Sequence, residues 1–545
     1  MKAILPKINT YISVQVSTIV TLLIAAILSI PILSVFSSVF TNSIDLWIHL
    51  AQTVLLDYVT NSLWLMVGVG GGVLIIGVVT AWLVTLCRFP GVRLFEWALL
   101  LPLAAPAYLL SYTYTNMLDY FGPVQSFLRQ IFGWASSEAY WFPNIRSLPG
   151  CIAMLILVLY PYVYLLARVT FIEQSQSTLE ASRSLGCNPW QSFFMIALPL
   201  ARPAIIAGLA LALMETLNDF GTVQYFGVNV FTTGIYNTWF GMGDRVAAAQ
   251  LATVLMVFIL GLIILERLSR SQARYYDTSN RRQPLSKYGL KGIRGLCAAL
   301  ACGIPIGLGF ILPGAYLLYL GISQARETSN NDFASLAGNS LILAGLTAAI
   351  ALVVSLILAY GERLSPNWLL RSSVRFSSLG YAIPGIVIAV GVLIPLGHFD
   401  KWLDENFKIV LSGTVAALIF AYCVRFLTVS LGTLESSLEK IKPSLDDAAH
   451  SLGHGVISTL FNIHLPLMSG GILTAVMLVF VDVMKELPAT LVLRPFNFDT
   501  LAVRVYQYAS DERLIEAALP ALAIVAAGIG PVIVLSWQIA SSREG

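Results

Sequence analysis

The stretch Leu179–Gly208, LEASRSLGCNPWQSFFMIALPLARPAIIAG, occurs twice in this chain. Its second copy is Asp446–Leu473, DDAAHSLGHGVISTLFNIHLPLMSGGIL. Matching residues, such as Gly186 and Gly453, lie 267 positions apart. Each copy is only partly apolar but lies between long apolar segments. The repeat therefore predicts a structured loop on one face of a membrane, present once in each half of the chain.

The composition is that of a membrane protein. Of 545 residues, 57% are hydrophobic and only 11% are charged, too few charges to cover the surface of a soluble domain. Many apolar runs reach the roughly 20 residues that a membrane-spanning helix needs, and in a bilayer such runs must be helical. Six cysteines form no CxxC pair, so no disulfide framework is expected. The net charge of +3 gives no reason to expect nucleic acid as a partner.

About twelve spans are expected, six in each half of an all-α integral membrane fold. The apolar run from about Ile12 to Phe40 is too long for the core of a signal peptide, so it is interpreted as an uncleaved first span. In the second span, the glycine-rich run Gly68–Gly72 has no preceding strand, and close helix packing is its predicted role. The predicted spans lie near residues 15–40, 62–86, 95–115, 150–170, 200–222, 247–266, 293–320, 339–360, 374–396, 411–431, 468–488 and 517–540.

The halves also repeat outside the loop. Pro106 and Pro384 match at an offset of 278 positions, and the first half is longer after its proline, mainly in a loop at about 116–149. Trp134, Tyr140 and Trp141 are among the aromatic residues of that loop. Six spans repeated in the same order predict two tandem halves related by a pseudo-two-fold axis along the membrane normal.

The predicted domain boundaries follow from the repeat and from one basic segment. Residues 267–294 carry eight Lys and Arg residues against Asp277 alone, which predicts an extended, solvated linker between halves 1–266 and 295–545. With the N-terminus inside, the inner segments hold 22 Lys and Arg residues and the outer segments hold 10. By the positive-inside rule, both termini, the linker and both copies of the repeated loop are expected in the cytoplasm.

The repeated pattern is Glu/Asp-Ala-Ala/Ser, then Gly, then Ile-x-Leu-Pro. It resembles the EAA loop of ABC-importer permeases, the cytoplasmic dock for the ATPase subunit. Downstream of the two copies lie Glu215–Trp239, ETLNDFGTVQYFGVNVFTTGIYNTW, and Asp482–Thr500, DVMKELPATLVLRPFNFDT. Together these stretches are similar to the fused, two-copy permeases of bacterial ferric-iron importers, over nearly the whole chain. The resemblance implies two tandem six-helix type I ABC permease halves in a bacterial inner membrane.

The resemblance also implies which residues dock the ATPase. They are Glu180, Ala181, Ser182 and Gly186 in the loop 177–200, and Asp447, Ala448, Ala449 and Gly453 in the loop 444–467. Capping is an alternative role for the two acids, because Ser177 with Glu180 and Ser444 with Asp447 have capping-box spacing. Capping and docking do not exclude each other. The two glycines are expected to end a short helix, and Asn188-Pro189 to begin another.

No nucleotide site is expected in this chain. The sequence contains no GxxxxGK[ST] motif and no Gly-Lys dipeptide, so a pump built on it must take its energy from a partner. By the resemblance, that partner is a separate ABC ATPase, present in two copies, which binds ATP and Mg²⁺. This chain is then a channel subunit without a cofactor and without catalytic residues. Membrane lipid is its other expected contact.

Carboxylates in the fifth and eleventh spans are the candidate pathway residues. Glu215 and Asp219 lie at i, i+4, and 267 positions later stand Asp482 and Glu486, with Lys485 between them. A carboxylate facing lipid costs about 2.5 kcal/mol or more at the bilayer centre, so these side chains are expected to face the interior or the outer vestibule. Their hard oxygen ligands suit Fe³⁺, and pathway lining is their predicted role. The alternative is a structural cluster in which Lys485 neutralises Asp482 and Glu486.

The segments 222–246 and 489–516 follow the pathway spans and are expected on the outer face. They are rich in aromatic residues, and the second segment carries Arg494, Arg504 and Arg513. A periplasmic or lipid-anchored ferric-iron-binding protein is the partner that the resemblance implies there. The three arginines are predicted to meet acidic residues on its rim.

Other interpretations stay open at this point. The same machinery could import thiamine, a phosphonate or a polyamine. An ion-coupled secondary transporter would use the intramembrane charges but would leave both repeated loops unexplained. A membrane-embedded enzyme is disfavoured, because no nucleophile–base or metal-ligand constellation is present. His450 and His454 have the i, i+4 spacing of a metal pair, but two surface histidines are the preferred interpretation, and no metal site is assigned.

Overall fold

The computed structural model describes residues 4–173, 186, 188–271, 287–327 and 331–541. In these ranges, ten helices are long and apolar enough to cross a membrane, and up to twelve spans result if each of two sharply bent helix pairs counts as one. The chain is helical almost throughout, and its described strands are two residues long. An all-α membrane fold with about twelve spans is thereby confirmed.

The helices are numbered here in chain order. Those that precede the basic segment are α1 (Ile4–Ser37), α2 (Ile44–Thr53), α3 (Leu55–Leu86), α4 (Val92–Ala98), α5 (Ala107–Leu118), α6 (Pro123–Phe132), α7 (Leu148–Glu173), α8 (Pro189–Ser192), α9 (Leu198–Asn218), α10 (Gly221–Tyr225), α11 (Phe231–Tyr236) and α12 (Arg245–Ser271). Strands β1 (Cys87–Arg88) and β2 (Tyr288–Gly289) pair in parallel. The later helices are α13 (Ile293–Ile306), α14 (Leu312–Glu327), α15 (Asn331–Leu364), α16 (Trp368–Ser377), α17 (Gly385–Phe407), α18 (Val415–Glu439), α19 (Pro443–Ser451), α20 (Val456–Thr459), α21 (Leu465–Leu467), α22 (Ser469–Met484), α23 (Pro488–Leu493), α24 (Leu501–Ser510) and α25 (Leu514–Ser541).

The chain divides into two compact units that cut across the predicted halves 1–266 and 295–545. One unit comprises Met1–Ile44, Ile235–Thr253 and Asn330–Arg504, and the other comprises Asp45–Gly234, Val254–Ser329 and Val505–Gly545. The predicted halves thus describe a repeat of sequence, while packing groups the helices differently. In particular, α1 belongs to the unit that contains residues 330–504, so it packs with helices of the second half.

Glycines show how closely α1 packs in its unit. A Cβ atom on Gly391 of α17 would overlap the carbonyl oxygen of Pro31, and one on Gly361 of α15 would overlap the hydroxyl of Thr21. Backbones can approach this closely only where a side chain is missing, which is the usual way that membrane helices associate. The first helix is therefore a structural part of the unit built mainly from residues 330–504.

The glycine-rich run in α3 has the packing role predicted for it. A Cβ atom on Gly68 would lie 2.8 Å from Ile152 Cδ1, and one on Gly72 would overlap Ile156. Further along the same face, Gly77 meets the backbone nitrogen of Tyr164, which would lie 2.9 Å from an added Cβ. Helix α3 therefore packs against α7 along a face kept free of side chains.

The predicted spans at 95–115 and 374–396 are broken at the two matching prolines. Pro106 and Pro384 are the N-cap residues of α5 and α17, and the residues before them, Ala105 and Ile383, are extended with ψ of 128° and 131°. Proline disfavours the helical conformation in the residue that precedes it and cannot donate a backbone hydrogen bond. In the first half the resulting bend is 90°.

The repeated Leu-Pro dipeptides shape the entry to the fifth and eleventh predicted spans. Each directly follows a π-helical turn, at Phe193–Ala197 in the first copy and Leu460–His464 in the second. Because proline cannot donate to the carbonyl four residues earlier, the helix is locally widened there. The copies then differ: α9 continues without a break, whereas the second copy breaks at Met468 with a bend of 77°.

The basic segment 267–294 is not an extended linker at its described ends. Its first residues belong to α12, and residues 272–286 lie outside the described part of the chain. At its far end β2 pairs with β1, and Lys287 Nζ lies 3.8 Å from Glu96 Oε1. Glu96 Oε2 lies 3.2 Å from Arg168 Nη2, and that arginine side chain is only 4% exposed. A buried charge cluster thus holds this end against α3 and α4, which sequence patterning did not reveal.

Candidate functional site

The second copy of the repeated loop is described in full. Helix α19 exposes Asp447 and Ala448, whereas Ala449 is buried. A partner could therefore reach the first two residues directly, and Ala449 packs inward. Glu180, Ala181 and Ser182, the corresponding residues of the first copy, lie outside the described residues. Their predicted docking role stays a prediction.

The two loop glycines adopt the same backbone conformation. Gly186 has φ of +84° and Gly453 has φ of +85°, the left-handed region that residues with a side chain rarely adopt. Around Gly453, the backbone N–H of His454 donates to Ala449 O at 2.9 Å, the six-to-one bond of a Schellman motif. The prediction that Gly453 ends a short helix is confirmed, and Gly186 repeats its geometry.

The helices in the two loops begin at the expected capping residue in the first copy but not in the second. In the first copy, Asn188 and Gln191 exchange two hydrogen bonds, from Gln191 N to Asn188 Oδ1 at 2.8 Å and from Asn188 N to Gln191 Oε1 at 2.9 Å. Asn188 therefore caps α8 as expected. The alternative of a capping box at Ser444 and Asp447 does not match the helix start, because α19 begins one residue earlier at Pro443. Proline suits the first helical position, where its missing N–H would have no partner.

Asp446, the first residue of the second repeat, anchors α19 to two other helical segments. Its Oδ2 lies 2.6 Å from Arg363 Nη2, at the end of α15, and its Oδ1 lies 2.7 Å from the buried ring of His464. Arg363 also donates to Leu438 O at 2.8 Å and to Ile441 O at 3.1 Å, at the end of α18. One guanidinium therefore joins α15, the end of α18 and α19.

The first repeat lacks this polar anchor. At the matched positions, Leu179 replaces Asp446 and Ala197 replaces His464 at the offset of 267, and Thr85 replaces Arg363 at the offset of 278. Sequence reasoning missed this difference between the repeats. The available signal was an ionisable triplet in one repeat that is replaced by uncharged residues in the other.

Replacing Asp446 by alanine is expected to lower the stability of the protein by about 1.5–3 kcal/mol, the range for hydrogen bonds to charged groups. The cause is that Arg363 and His464 lose their shared anion. Thermal unfolding in lipid nanodiscs would measure the change. Asp447→Ala is the matched control, because that neighbouring carboxylate is exposed. Equal unfolding temperatures for the two variants would contradict the anchoring role.

Two of the candidate pathway carboxylates cap short helices. Asp219 Oδ1 accepts from Thr222 N at 3.0 Å and from Val223 N at 3.1 Å, at the start of α10. At the equivalent position of the second half, Glu486 Oε1 accepts from Ala489 N at 3.0 Å, at the start of α23. Carboxylates at helix N-termini satisfy backbone donors that otherwise have no partner. Asp219 and Glu486, which are 267 positions apart, are therefore matched both as acids and as helix caps.

The second carboxylate has a cation that sequence reasoning did not pair with it. Arg425 Nε lies 3.4 Å from Glu486 Oε2, and these side chains are only 9% and 5% exposed. A Cβ atom on Gly385 would overlap both of them, so the pair fits only beside a glycine. The alternative in which Lys485 neutralises both acids holds for Asp482, whose Oδ1 lies 2.9 Å from Lys485 Nζ, whereas Glu486 has Arg425 as its cation. A lone arginine inside an apolar span required a buried partner, which was the missed signal.

The remaining candidates differ in exposure. The side chain of Asp482 is 15% exposed and that of Lys485 is 30% exposed, while Glu215 is half-buried. Asn218, the counterpart of Lys485, is buried. These positions belong to different compact units in the two halves, so pathway lining stays a prediction. In the described residues, no group of three or more His, Cys, Asp and Glu side chains could hold a metal ion.

The predicted outer arginines make ion pairs within their own segment. Arg494 Nη1 contacts Asp499 Oδ1, and Arg504 Nη2 lies 3.1 Å from Asp499 Oδ2. Arg513 Nε lies 2.9 Å from Glu516 Oε1, and its side chain is 54% exposed. Arg494 and Arg504 therefore help to fold the loop around one carboxylate. Arg513 is the arginine of the three best placed to reach another protein, and this contact stays a prediction.

A helical membrane chain with a duplicated loop and two matched sets of spans has the organisation of a membrane transport protein. The chain belongs to the family described as the binding-protein-dependent transport system inner membrane component, which matches residues 7–270 and 351–540. The two matched segments confirm that the chain carries two tandem permease halves.

The chain is also similar to several individual permease proteins. The chain is 27% identical to the Fe(3+)-transport system permease protein FbpB 2 of Haemophilus influenzae, over 95% of this chain and 97% of the relative. It is 24% identical to the ferric transport system permease protein FbpB of Actinobacillus pleuropneumoniae, over 72% of this chain and 58% of the relative. A shorter match, 30% identical over 41% of this chain and 76% of the relative, is to the putative 2-aminoethylphosphonate transport system permease protein PhnU of Salmonella paratyphi A.

Proposed function

We propose that this chain is the permease subunit of a ferric-iron ABC importer. The observation that carries the proposal is the similarity over nearly the full length to a Fe(3+)-transport permease, with both halves fused in one chain. A binding protein, periplasmic or lipid-anchored, delivers Fe³⁺ to the outer face. Alternating access then passes the ion across the inner membrane, and the chain itself performs no covalent chemistry.

Two copies of a separate ATPase bind the repeated loops and supply the energy by hydrolysing ATP with Mg²⁺. Support comes from the matched glycine geometry at Gly186 and Gly453 and from the exposed Asp447 and Ala448. Small exposed residues beside a fixed turn allow a partner surface to approach the backbone closely. Because the ATPases act inside the cell, both loops and both termini face the cytoplasm, in agreement with the distribution of Lys and Arg residues.

Two observations favour iron over a phosphonate as the substrate. They are the chemistry of the predicted route and the share of this chain that each relative matches. The phosphonate-system relative matches 41% of this chain, whereas the Fe(3+)-system relative matches 95%. The acids at the ends of the fifth and eleventh spans offer hard oxygen ligands, which suit Fe³⁺ and repel an anion. Asp482, which is partly exposed, is the acid best placed to meet a passing cation.

The test is reconstitution of the chain in proteoliposomes with its ATPase and its binding protein. Iron-loaded binding protein is expected to give ATP-dependent accumulation of radioactive iron inside vesicles that contain a chelator. A tenfold excess of 2-aminoethylphosphonate should leave the rate unchanged. Uptake of the phosphonate without uptake of iron would overturn the proposed substrate and keep the transporter class. Omission of the ATPase is the control for leakage.

A further inference from the structure

Helix α6 lies in the segment by which the first half is longer than the second. It starts five residues after α5 ends, and the turn between them is closed by a bond from Gly122 N to Asp119 O at 2.9 Å. A Cβ atom on Gly122 would lie 2.6 Å from Met117 O, so only glycine allows this close return. Gly133, with φ of +68°, ends the helix. The orientation of α6 is thus fixed at both ends.

The polar face of α6 is turned toward the protein. Gln125 is buried, and its Nε2 donates to Leu118 O at 2.7 Å. Arg129 donates from Nη1 to Tyr120 O at 2.7 Å, and its guanidinium lies 4.0 Å from the centre of the Tyr120 ring. Tyr140 donates its hydroxyl to Gln125 Oε1. Arg129 is the one charged residue in the sequence of α6, so no charge is left for the opposite face.

The outward face of α6 is uncharged and mostly apolar, and Gln130 is its exposed polar residue. Phe127 and Ile131, one turn apart, are 61% and 58% exposed, and Phe132 is 60% exposed. Phe121, just before the helix, and Trp141, beyond it, are each 85% exposed. This polarity is the reverse of that of a surface helix in water, where the apolar stripe faces the core. A helix with its polar face bonded inward and its apolar face outward needs an apolar environment on the outside.

We propose that α6 is an interfacial anchor whose Phe127 and Ile131 enter the headgroup–acyl boundary of the phospholipid bilayer. The bilayer is the occupant that continuity selects, because α6 forms the last part of the bent helix pair Val92–Ala104 and Ala107–Phe132, which counts as a candidate span. Interfacial helices bury their apolar faces roughly 5–10 Å into this boundary, and Trp and Tyr concentrate there. Stacking of Trp134 on Phe132 and Tyr140, with centroid distances of 4.7 and 4.5 Å, adds such a group beside the helix. Because its outward face has no charge, the anchor needs no anionic lipid.

The anchor is tested with nitroxide labels on single cysteines in the full chain in lipid nanodiscs. Positions 127 and 131 are labelled separately, and position 138, an exposed glutamate in the same segment, is the matched control. Cys297, which is exposed, and Cys187 are first replaced by serine. Collision with oxygen reports lipid, and collision with a water-soluble nickel chelate reports water. Oxygen accessibility relative to nickel is expected to be several-fold higher at 127 and 131 than at 138.

Equal nickel accessibility at the three positions would overturn the anchor and place α6 in water. Protection of positions 127 and 131 only after binding protein is added would also overturn it, and would assign the face to a protein partner. The expected pattern must persist in neutral phosphatidylcholine nanodiscs, because the outward face carries no cation for acidic lipid. Neither result depends on which substrate the chain transports.

Discussion

Replacing Gly186 and Gly453 together by leucine is expected to abolish transport while membrane insertion is retained. Both glycines have φ near +85°, where a side chain is strained, and among the described residues no atom lies within 4 Å of an added Cβ on either. The loss is therefore expected to arise from the changed turn. Since both turns belong to the loops that we propose as ATPase docks, both ATPase copies should bind less tightly. The measurement is co-purification of the ATPase with the chain, together with uptake in proteoliposomes.

The two single variants test the contribution of each loop to ATPase binding separately. Gly453→Leu and Gly186→Leu should each reduce the ATPase content of the purified complex by about half if the docks bind independently. Gly413→Leu is a matched control, because Gly413 has φ of +80° and open surroundings but lies far from both loops in the sequence. Normal ATPase retention and normal uptake by the double variant would show that the loops are not the dock.

Arg425→Met is expected to remove most of the folded protein from the membrane. It leaves Glu486 buried without its cation, and breaking a buried ion pair in this way costs about 3–5 kcal/mol. Replacing both members, as Arg425→Met with Glu486→Gln, should restore folding, because the glutamine oxygen can still accept from Ala489 N and no charge remains buried. The measurements are the amount of monodisperse protein after purification and its unfolding temperature.

The double variant also distinguishes the two roles of Glu486. If the carboxylate is only structural, recovery of folding should bring recovery of iron uptake. If it also lines the route, uptake should stay low in the well-folded double variant. Asp482→Asn is a control for folding alone, because its partner Lys485 is 30% exposed and the pair contributes little to stability. As a proposed pathway residue, Asp482 is itself expected to affect uptake. A single Arg425→Met variant that is as stable as the original protein would contradict the ion pair.

Sequence patterning predicted the class of fold because apolar run length decides which segments can cross a bilayer. It also placed the docking turns, since glycine followed by the Leu-Pro pair leaves few backbone choices near Gly186 and Gly453. The break of two spans was recoverable in principle, because the matched Pro106 and Pro384 disfavour a helix just before them. These features depend on local geometry, which sequence encodes directly.

The parts that were missed depend on contacts between residues far apart in the sequence. Arg425 and Glu486 lie 61 positions apart, and Arg363 and Asp446 lie 83 apart, so neither pair has a spacing rule. The alternative of a structural cluster had Lys485 neutralise both Asp482 and Glu486, yet the buried Glu486 is paired with an arginine on another helix. The compact units were missed for the same reason, since repeats in sequence do not reveal which helices pack together.

The membership of α1 in the unit built mainly from residues 330–504 sets an order of events during synthesis. Thr253 of α12 already bonds to Val35 of α1, but the helices that cover Thr21 and Pro31 begin with α15 at Asn331, about 290 residues after α1 ends at Ser37. At roughly 5–20 residues per second, the ribosome needs on the order of 15–60 seconds to make them. For that interval the first helix waits in the bilayer with Thr21 and Pro31 uncovered. A truncated chain that stops before residue 331 would therefore present an unfinished helix to membrane quality-control proteases, however completely its own repeat had been translated.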